Sequence, residues 1–186
     1  FVRPMGDKLV TVLGEVPPAA EGQSVPTILA VGASDTNGTM STADDFVPSF
    51  AQHGSATRAV DVVAPGVSVV GLRVPGSFVD QNVTTGKVGT RFQRATGTSQ
   101  ANAVVSGLVA LLLSKYPTAT PDMIKSYLRA SATPMGLTDS TWLAESTSLL
   151  TKAFNNWYAG NGTVNVAGAV SLTKLPAVAG PTPTGT

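Results

Sequence analysis

The stretch RATGTSQANAVVSGLVALLLSKYP, residues 94–117, begins with small polar residues and becomes one of the most apolar runs of the chain. From Gln100 onward, AVVSGLVALLL is apolar on nearly every face, which predicts a core helix enclosed by protein on all sides. The glycine, threonine and serine at its start have two interpretations. Either Thr96, Thr98 or Ser99 is an ordinary helix cap, or a hydroxyl is held there for chemistry.

The chemical interpretation depends on the polarity of a helix N-terminus. Its unpaired backbone N–H groups and the positive end of its dipole stabilise a negative charge that develops beside them. Attack of a serine oxygen on a peptide carbonyl produces such an oxyanion, and loss of one donor typically costs about 2.7 to 4 kcal/mol of transition-state stabilisation. Gly97 would let the backbone pass close to a bound substrate. Ser99 is therefore a candidate nucleophile, although the motif by itself favours the cap.

The composition limits the remaining functions. The 186 residues are 42% hydrophobic and 12% charged, which predicts one substantial globular domain. A net charge of +1 without charge blocks gives no basis for binding nucleic acid or an anionic membrane. The absence of cysteine excludes thiolate metal sites, a cysteine nucleophile and disulfides. The longest apolar run, 107–113, is too short to cross a bilayer.

Four short strands and a loop are expected before the core helix. Leu9–Leu13 is a strand candidate, and the nearly continuous apolar run Thr27–Ser34 suits a central strand of a parallel sheet. The β-branched runs Val60–Val63 and Val67–Val70 are separated by a bend at Ala-Pro-Gly. Residues 73–94 are compatible with a loop or a hairpin.

Two further helices are expected after the core helix. In TPDMIKSYLRAS, Thr120 can cap the helix and Pro121 fits its first position. Residues 140–158 are a third helix candidate, and 162–170 could form a strand that leads into a short helical turn. The tail 176–186 consists of proline, glycine and threonine without periodicity, which is typical of a linker.

Four segments carry a family resemblance. GTSQANAVVSGLVALLLSKYP at 97–117 is similar to a G-T-S-x-A-x-P motif followed by an apolar helix. ILAVGASD at 28–35 is similar to a V-I-A-V-G-A strand, FAQHGSATRAVDVVAPG at 50–66 to F-S-x-x-G followed by D-V-x-A-P-G, and YAGNGTVNVAGAV at 158–170 to Y-G-x-G-x-V. In this order, over about residues 27–171, the segments resemble the subtilisin-like serine proteases.

The resemblance implies an α/β fold of the subtilisin-like, three-layer type, with a mostly parallel sheet and flanking helices. It implies that 27–173 form the C-terminal part of such a catalytic domain, preceded by a strand and loop at 1–26 and followed by a linker or tail at 174–186. The implied activity is hydrolysis of polypeptides by a serine endopeptidase through an acyl-enzyme.

The resemblance also assigns roles within the serine segment. Ser99 would be the nucleophile, while Thr98 and Gly97 would lie beside the oxyanion and the substrate. Ala103 stands where the family usually has proline, and Val104 where it often has histidine. Alanine is a good helix former, so this departure does not exclude activity.

The family's catalytic aspartate, its histidine and its oxyanion asparagine all precede the ILAVGA-like strand. Only 27 residues precede that strand here, and they contain neither histidine nor asparagine. The resemblance therefore implies that an upstream segment or fragment supplies these groups and that the isolated chain is inactive. The alternative, of a different class, is a non-catalytic fragment or pseudoprotease that acts as an interaction module.

An internal triad is a second alternative. His53 is the sole histidine of the chain, and Ser-His-Asp geometry recurs with different chain orders. Ser99, His53 and Asp61 would then form the site. The resemblance instead makes His53 a loop residue and Asp61 a structural residue, or at most one close to a weak cation site.

Cofactors and location follow from the resemblance alone. The resemblance implies no required cofactor. The adjacent Asp44 and Asp45 suit a solvated surface, so the residues indicate no metal site. Calcium is compatible with the family but has no located site. A secreted or cell-envelope location is implied, although residues 1–24 lack the order of a secretion signal. Three Asn-x-Thr triplets fit the glycosylation pattern, at Asn37, Asn82 and Asn161.

Overall fold

The structure, a computed structural model, describes residues 2–4, 29–52, 54, 60–135 and 158–171. The predicted strand at Leu9–Leu13, nearly all of the helix candidate at 140–158 and the tail lie outside these residues, as does His53. The division into 1–26, 27–173 and 174–186 stays a prediction.

A parallel sheet forms the centre of the described residues. Its strands are β1 (Val2–Pro4), β2 (Leu29–Ser34) and β3 (Val62–Pro65), in the order β1-β2-β3. Val31 lies opposite Val62 in the register, and both side chains are fully buried. The expectation of a central, two-sided strand in a parallel sheet is confirmed for β2, whose apolar residues are covered on both faces.

Four helices have both bounds within the described residues: α1 (Phe78–Asn82), α2 (Thr98–Lys115), α3 (Pro121–Ser131) and α4 (Val166–Ser171). The longest, α2, contacts all three strands of the parallel sheet. Its buried residues recur at helical spacing and form one stripe: Thr98, Ala101, Val105, Leu108 and Leu112.

The prediction that the core helix is enclosed on all sides is wrong for the described residues. Leu111 and Leu113 of α2 are 56% and 41% exposed. An apolar sequence predicts that a helix can be buried, but it does not supply the neighbours that cover each face. Within the ranges that the structure describes, α2 is covered on one side.

Helix α3 begins as the sequence predicts. The Thr120 hydroxyl accepts a hydrogen bond from the Met123 N–H at 3.3 Å, and Pro121 occupies the first helical position. Tyr127 is buried, and its hydroxyl donates to the Gly168 carbonyl oxygen in α4 at 2.9 Å. This bond fixes α3 against the last described helix.

Residues 162–164 pair with β3 through a single bridge. Thr163 forms a parallel bridge with Val63, and the Val63 N–H donates to the Gly162 carbonyl oxygen at 2.9 Å. Gly160 has a φ of 59°, and a Cβ there would lie 2.3 Å from the Val60 carbonyl oxygen. The predicted helical turn is confirmed as α4, but the predicted strand at its start is wrong, because only Thr163 forms a bridge there.

A second sheet is antiparallel and lies between β3 and α2 in sequence. It contains β4 (Val69–Leu72), β5 (Lys87–Val88) and β6 (Phe92–Ala95), in the order β4-β6-β5. We call residues 69–95 the hairpin module. The sequence predicts a loop or hairpin here, but it does not predict the short helix α1 within it.

Candidate active site

The candidate site lies at the carboxyl ends of β2 and β3. Immediately after β3, the Gly66 N–H donates to the Ser34 carbonyl oxygen at 2.9 Å. The Gly66 carbonyl oxygen accepts in turn from the Gly97 N–H at 2.8 Å. The start of α2 is thereby tied to this edge of the sheet, which is where open parallel α/β sheets bind their ligands.

Two glycines make this close approach possible. A Cβ on Gly66 would lie 2.6 Å from the Ala33 Cβ and 3.0 Å from the Gly97 carbonyl oxygen. Gly97 has a φ of 155°, a backbone conformation that residues with side chains rarely adopt. The direction in which α2 leaves the sheet is therefore set by backbone contacts that a larger residue would block.

The cap interpretation of the opening motif is wrong. The residue at the cap position of α2 is Gly97, and no side chain makes a capping hydrogen bond there. The Thr96 hydroxyl instead accepts from the Ser68 N–H at 3.0 Å, just before the hairpin module. Thr98 is 1% exposed and contributes to the core. No hydroxyl of this motif caps the helix.

Ser99 is exposed at the second position of α2. The first-turn N–H groups of Gln100 and Ala101 donate to the Gly97 carbonyl oxygen at 3.1 and 3.4 Å. Within the described ranges, no hydrogen bond engages the Ser99 side chain. The serine hydroxyl therefore stands in solvent at the positive end of a long helix, where a developing negative charge is stabilised.

Asp61 lies at the other end of β3. Its carboxylate accepts from the Ala30 N–H at 2.8 Å, and it pairs with Lys125 at 3.0 Å and Arg129 at 3.8 Å. The five-residue step from Asp61 to Gly66 spans about 16 Å of extended backbone. The structure does not bring Asp61 to Ser99. The Asp61 carboxylate is paired with the Lys125 ammonium group. His53 lies outside the described residues.

Two buried acceptors near Ser99 were not anticipated from the sequence. Gln100 Oε1 and Asn102 Oδ1 are buried and have no hydrogen-bond partner among the described residues. A glutamine at the third helical position can reach back to the N–H of the cap residue, but the Gly97 N–H is already donated to Gly66. The available signal was the pair of amide side chains in the first two turns of a predominantly apolar helix.

The hairpin module is fixed by ion pairs around Asp80. Its carboxylate accepts from the Gly76 N–H at 2.8 Å and pairs with Lys87 at 3.1 Å and Arg73 at 3.3 Å. The hydrogen bond from Gly76, followed by the one from Lys87, holds the pKa of Asp80 below its usual value. The strand β6 of this module leads directly into the Gly97 turn.

The hairpin module exposes several large apolar side chains. Leu72 and Phe92 lie opposite each other in the antiparallel register and are 76% and 45% exposed. Val74 and Phe78 are 68% and 80% exposed. Leu72 and Phe92 therefore form an exposed apolar patch on a module whose last strand, β6, leads into the Gly97 turn.

The acidic turn after β2 differs from its prediction. Asp45 is 2% exposed, so the prediction of a solvated surface pair is wrong for this residue. Burial, and then the charges of Asp44 and Asp35, raise the pKa of the Asp45 carboxyl. Asp44 is only half-buried and accepts from the Thr39 hydroxyl at 2.9 Å. No group of three or more His, Cys, Asp or Glu residues in the described ranges could hold a metal ion.

The described helices do not meet the requirements of a membrane span. None of them combines the length and the apolarity that crossing a bilayer needs.

These features define an α/β protein with an exposed serine at a helix N-terminus on the carboxyl edge of a parallel sheet. The model of the subtilase family matches residues 10–166, so the chain belongs to the subtilase family of serine proteases. Its fold is a partial α/β fold of the subtilisin-like type. Both predictions from the sequence, the family and the fold, are confirmed.

Related proteins support this assignment. The chain is 37% identical to the serine protease AprX of Bacillus subtilis (strain 168) over 105 residues, which cover 55% of the chain and 24% of AprX. It is 29% identical to subtilisin DY of Bacillus licheniformis over 142 residues, 76% of the chain and 36% of that protein. The chain thus spans about a quarter to a third of the length of these relatives.

Solved structures give the same result. Fervidolysin from Fervidobacterium pennivorans, a keratinolytic enzyme related to subtilisin, matches with a TM-score of 0.55 and 27% identity, over 81% of this chain and 20% of that one. The prenylagaramide maturation protease PagA matches with a TM-score of 0.54 and 25% identity, over 91% of this chain and 48% of that one.

Proposed function

We propose that the chain is the nucleophile-bearing part of a serine endopeptidase and that Ser99 is its nucleophile. The observation that carries the proposal is the position of Ser99: an exposed hydroxyl at the start of an 18-residue helix whose cap position is a glycine. The backbone bonds between Gly66, Ser34 and Gly97 hold this helix start in place. Such fixed placement is what nucleophilic catalysis needs.

The proposed reaction is the hydrolysis of a peptide bond in two stages. A histidine takes the proton of the Ser99 hydroxyl as its oxygen attacks the substrate carbonyl carbon. The resulting oxyanion lies beside the Ser99 N–H, with Thr98 and Gly97 adjacent. Collapse of this intermediate breaks the C–N bond, the histidine protonates the leaving amine, and water then hydrolyses the acyl-enzyme.

The histidine, the aspartate that orients it and an asparagine donor come from an upstream segment in this proposal. Support comes from the alignments, which cover only 24% of AprX and 36% of subtilisin DY, and from the ion pairs that engage Asp61 away from Ser99. The isolated chain is then inactive because triad members act as a unit. The polypeptide substrate and a secreted or cell-envelope location are carried over from the family resemblance.

A fluorophosphonate probe, which reacts covalently with activated serines, tests this proposal. We expect labelling of Ser99 when the natural upstream segment is present and none in the isolated chain. Ser99→Ala must abolish the labelling. Ser106→Ala is the matched control, because Ser106 is another exposed serine of α2 whose hydroxyl donates to the Asn102 carbonyl oxygen.

Other outcomes contradict the proposal in distinguishable ways. Labelling of the isolated chain that His53→Ala abolishes would establish an internal base. Absence of labelling with and without the upstream segment would favour the second candidate function, a non-catalytic interaction module. That candidate is supported by the exposed apolar patch of the hairpin module, where the paired Leu72 and Phe92 are 76% and 45% exposed.

A further inference from the structure

The tripeptide Asn-Gly-Thr occurs twice in the sequence, at 37–39 and at 161–163. We propose that Asn37 is a site of spontaneous deamidation and that the fold protects Asn161, although the two sites share the same local sequence. Asparagine followed by glycine is the most reactive context for this modification, because glycine offers no side chain to hinder attack. The proposal is independent of the protease function.

The chemistry is an internal attack followed by hydrolysis. The backbone nitrogen of Gly38 gives up its proton to a base and attacks the amide carbon of the Asn37 side chain. A new C–N bond forms, the bond from this carbon to the amide nitrogen breaks and ammonia leaves, which gives a cyclic imide. Water then opens either imide C–N bond and produces aspartate or isoaspartate. One water is consumed and one ammonia released, with no oxidation or reduction.

The surroundings of Asn37 permit this attack. Asn37 and Gly38 are exposed and occupy the two central positions of a tight turn, with φ angles of 49° and 70°, that is closed by the Thr39 N–H bonding to the Thr36 carbonyl oxygen at 2.9 Å. A Cβ placed on Gly38 would meet no atom within 4 Å. Among the described residues, nothing accepts a hydrogen bond from the attacking Gly38 N–H.

The surroundings of Asn161 oppose the same attack. Its side chain is also exposed, so access to water does not distinguish the two sites. However, Gly162 is buried, and its N–H donates to the Ala159 carbonyl oxygen at 2.9 Å. The Asn161 N–H and side-chain amide both donate to the Asp61 carbonyl oxygen at 3.0 Å. Attack at this site requires that the segment paired with β3 first open.

Deamidation at Asn37 would disturb the acidic turn. The Asn37 amide donates to the Asp44 carbonyl oxygen at 3.0 Å, and this bond is lost when the nitrogen leaves. The new carboxylate adds a negative charge to a turn that already contains Asp35, Asp44 and the buried Asp45. Isoaspartate also inserts a methylene into the backbone of a tight turn. We therefore expect weaker pairing between Asp35 and Phe46, which closes the turn beside the end of β2.

The experiment follows both sites within one molecule. The folded protein is incubated at mildly alkaline pH, and peptide mapping by mass spectrometry with isoaspartate-specific methylation quantifies each product over time. We expect modification at Asn37 to be about 100-fold faster than at Asn161. Both asparagine side chains donate one hydrogen bond to a backbone carbonyl oxygen, but only the buried Gly162 N–H must also break a bond before it can attack. In concentrated urea the two rates should converge, since both sites are Asn-Gly-Thr.

Asn37→Gln is the matched variant, because the longer side chain forms a cyclic imide much more slowly. It should remove the signal at position 37 and leave the rate at Asn161 unchanged. Equal rates at the two sites in the folded protein, or a faster rate at Asn161, would overturn the proposal. So would an Asn37 that stays intact when folded but reacts in urea.

Discussion

The two ends of β3 differ in how fully their polar groups are satisfied. At the amino end, the Asp61 carboxylate is bound by Lys125, Arg129 and the Ala30 N–H, and the Asp61 carbonyl oxygen accepts from Asn161. At the carboxyl end, Ser99 is exposed, and the buried Ser34 Oγ and Gln100 Oε1 have no partner in the part of the protein that the structure describes. The saturated end suits stability, whereas the unsaturated end suits binding and chemistry.

The largest expected effect is on catalysis at the carboxyl end. In the full-length protein, Ser99→Ala should lower kcat for peptide hydrolysis by about 10⁶-fold, because the nucleophile and its base act as a unit. The free energy of unfolding should stay nearly constant, since the side chain is exposed. Ser106→Ala should retain full activity. A kcat of Ser99→Ala close to that of the unmodified protein would place the nucleophile elsewhere.

The next effect is on stability at the amino end. Lys125→Met should lower the free energy of unfolding by about 3–5 kcal/mol, because it leaves the Asp61 carboxylate buried without its closest cation. Asp61 and Lys125 are 7% and 8% exposed. Urea denaturation measures the change, and fluorophosphonate labelling of the folded fraction in the presence of the upstream segment should persist.

A double-mutant cycle sharpens this test. Asp61→Asn combined with Lys125→Met should recover part of the lost stability, since removal of both charges leaves no unpaired ion. Additive losses would mean that the two side chains contribute separately. The amino end of β3 would then not owe its stability to the pairing of Asp61 with Lys125, which would contradict the contrast between the two ends.

A smaller effect on both stability and labelling is expected at Gly66, which joins the end of β3 to the turn before Ser99. Gly66→Ala places a Cβ 2.6 Å from the Ala33 Cβ and 3.0 Å from the Gly97 carbonyl oxygen. Overpacking of this kind costs about 1–3 kcal/mol, and displacement of Gly97 should also reduce labelling of Ser99. Gly71→Ala is the control, because a Cβ there meets nothing within 4 Å. Equal behaviour of the two variants would contradict the role given to the Gly66 contact.

The smallest effect concerns pH. The pKa of Asp45 is raised in the folded state, so the folded protein binds this proton more tightly and stability falls as pH rises between the ordinary and the raised pKa. Asp45→Asn should therefore be slightly stabilising at neutral pH, and the gain should disappear below the ordinary pKa of aspartate.

Asp80 provides the opposite case. Its pKa is lowered, so its contribution to stability is present above the ordinary pKa and is lost as pH falls through the lowered value. Asp80→Asn should be destabilising at neutral pH and neutral in strong acid. Thermal unfolding of both variants across this range measures the two trends, and parallel curves for Asp45→Asn and Asp80→Asn would contradict them.

Local sequence was sufficient for the elements that depend on local chemistry. The run Thr27–Ser34 predicted the central strand because β-strands buried on both faces need continuous apolar residues. Thr120 and Pro121 predicted the start of α3 because capping involves neighbours in sequence. Helix α1 was missed, since its five residues and the Ser77 cap are too short to produce a periodic pattern.

The candidate site was predicted only in part. The serine motif indicated Ser99 as nucleophile or cap, and only the structure excluded the cap by placing Gly97 there. The burial of Asp45 and the one-sided covering of α2 depend on contacts between segments far apart in sequence. The amino-acid composition does not indicate which distant segments contact each other.

The sequence by itself predicted the family, the central strand within Thr27–Ser34, the apolar helix that carries Ser99 and the candidate nucleophile. The strand and the helix depend on residues close together in sequence, and the family on four motifs that occur in the expected order. Tertiary structure decided what each polar group does. It paired Asp61 with Lys125 on α3 and left Ser99 without a hydrogen bond among the described residues. It also bonded the glycine N–H of one Asn-Gly-Thr segment, at Gly162, and left that of the other, at Gly38, without an acceptor among the described residues. Hydrogen bonds and ion pairs act over a few ångströms in space, and only folding brings distant residues within that range.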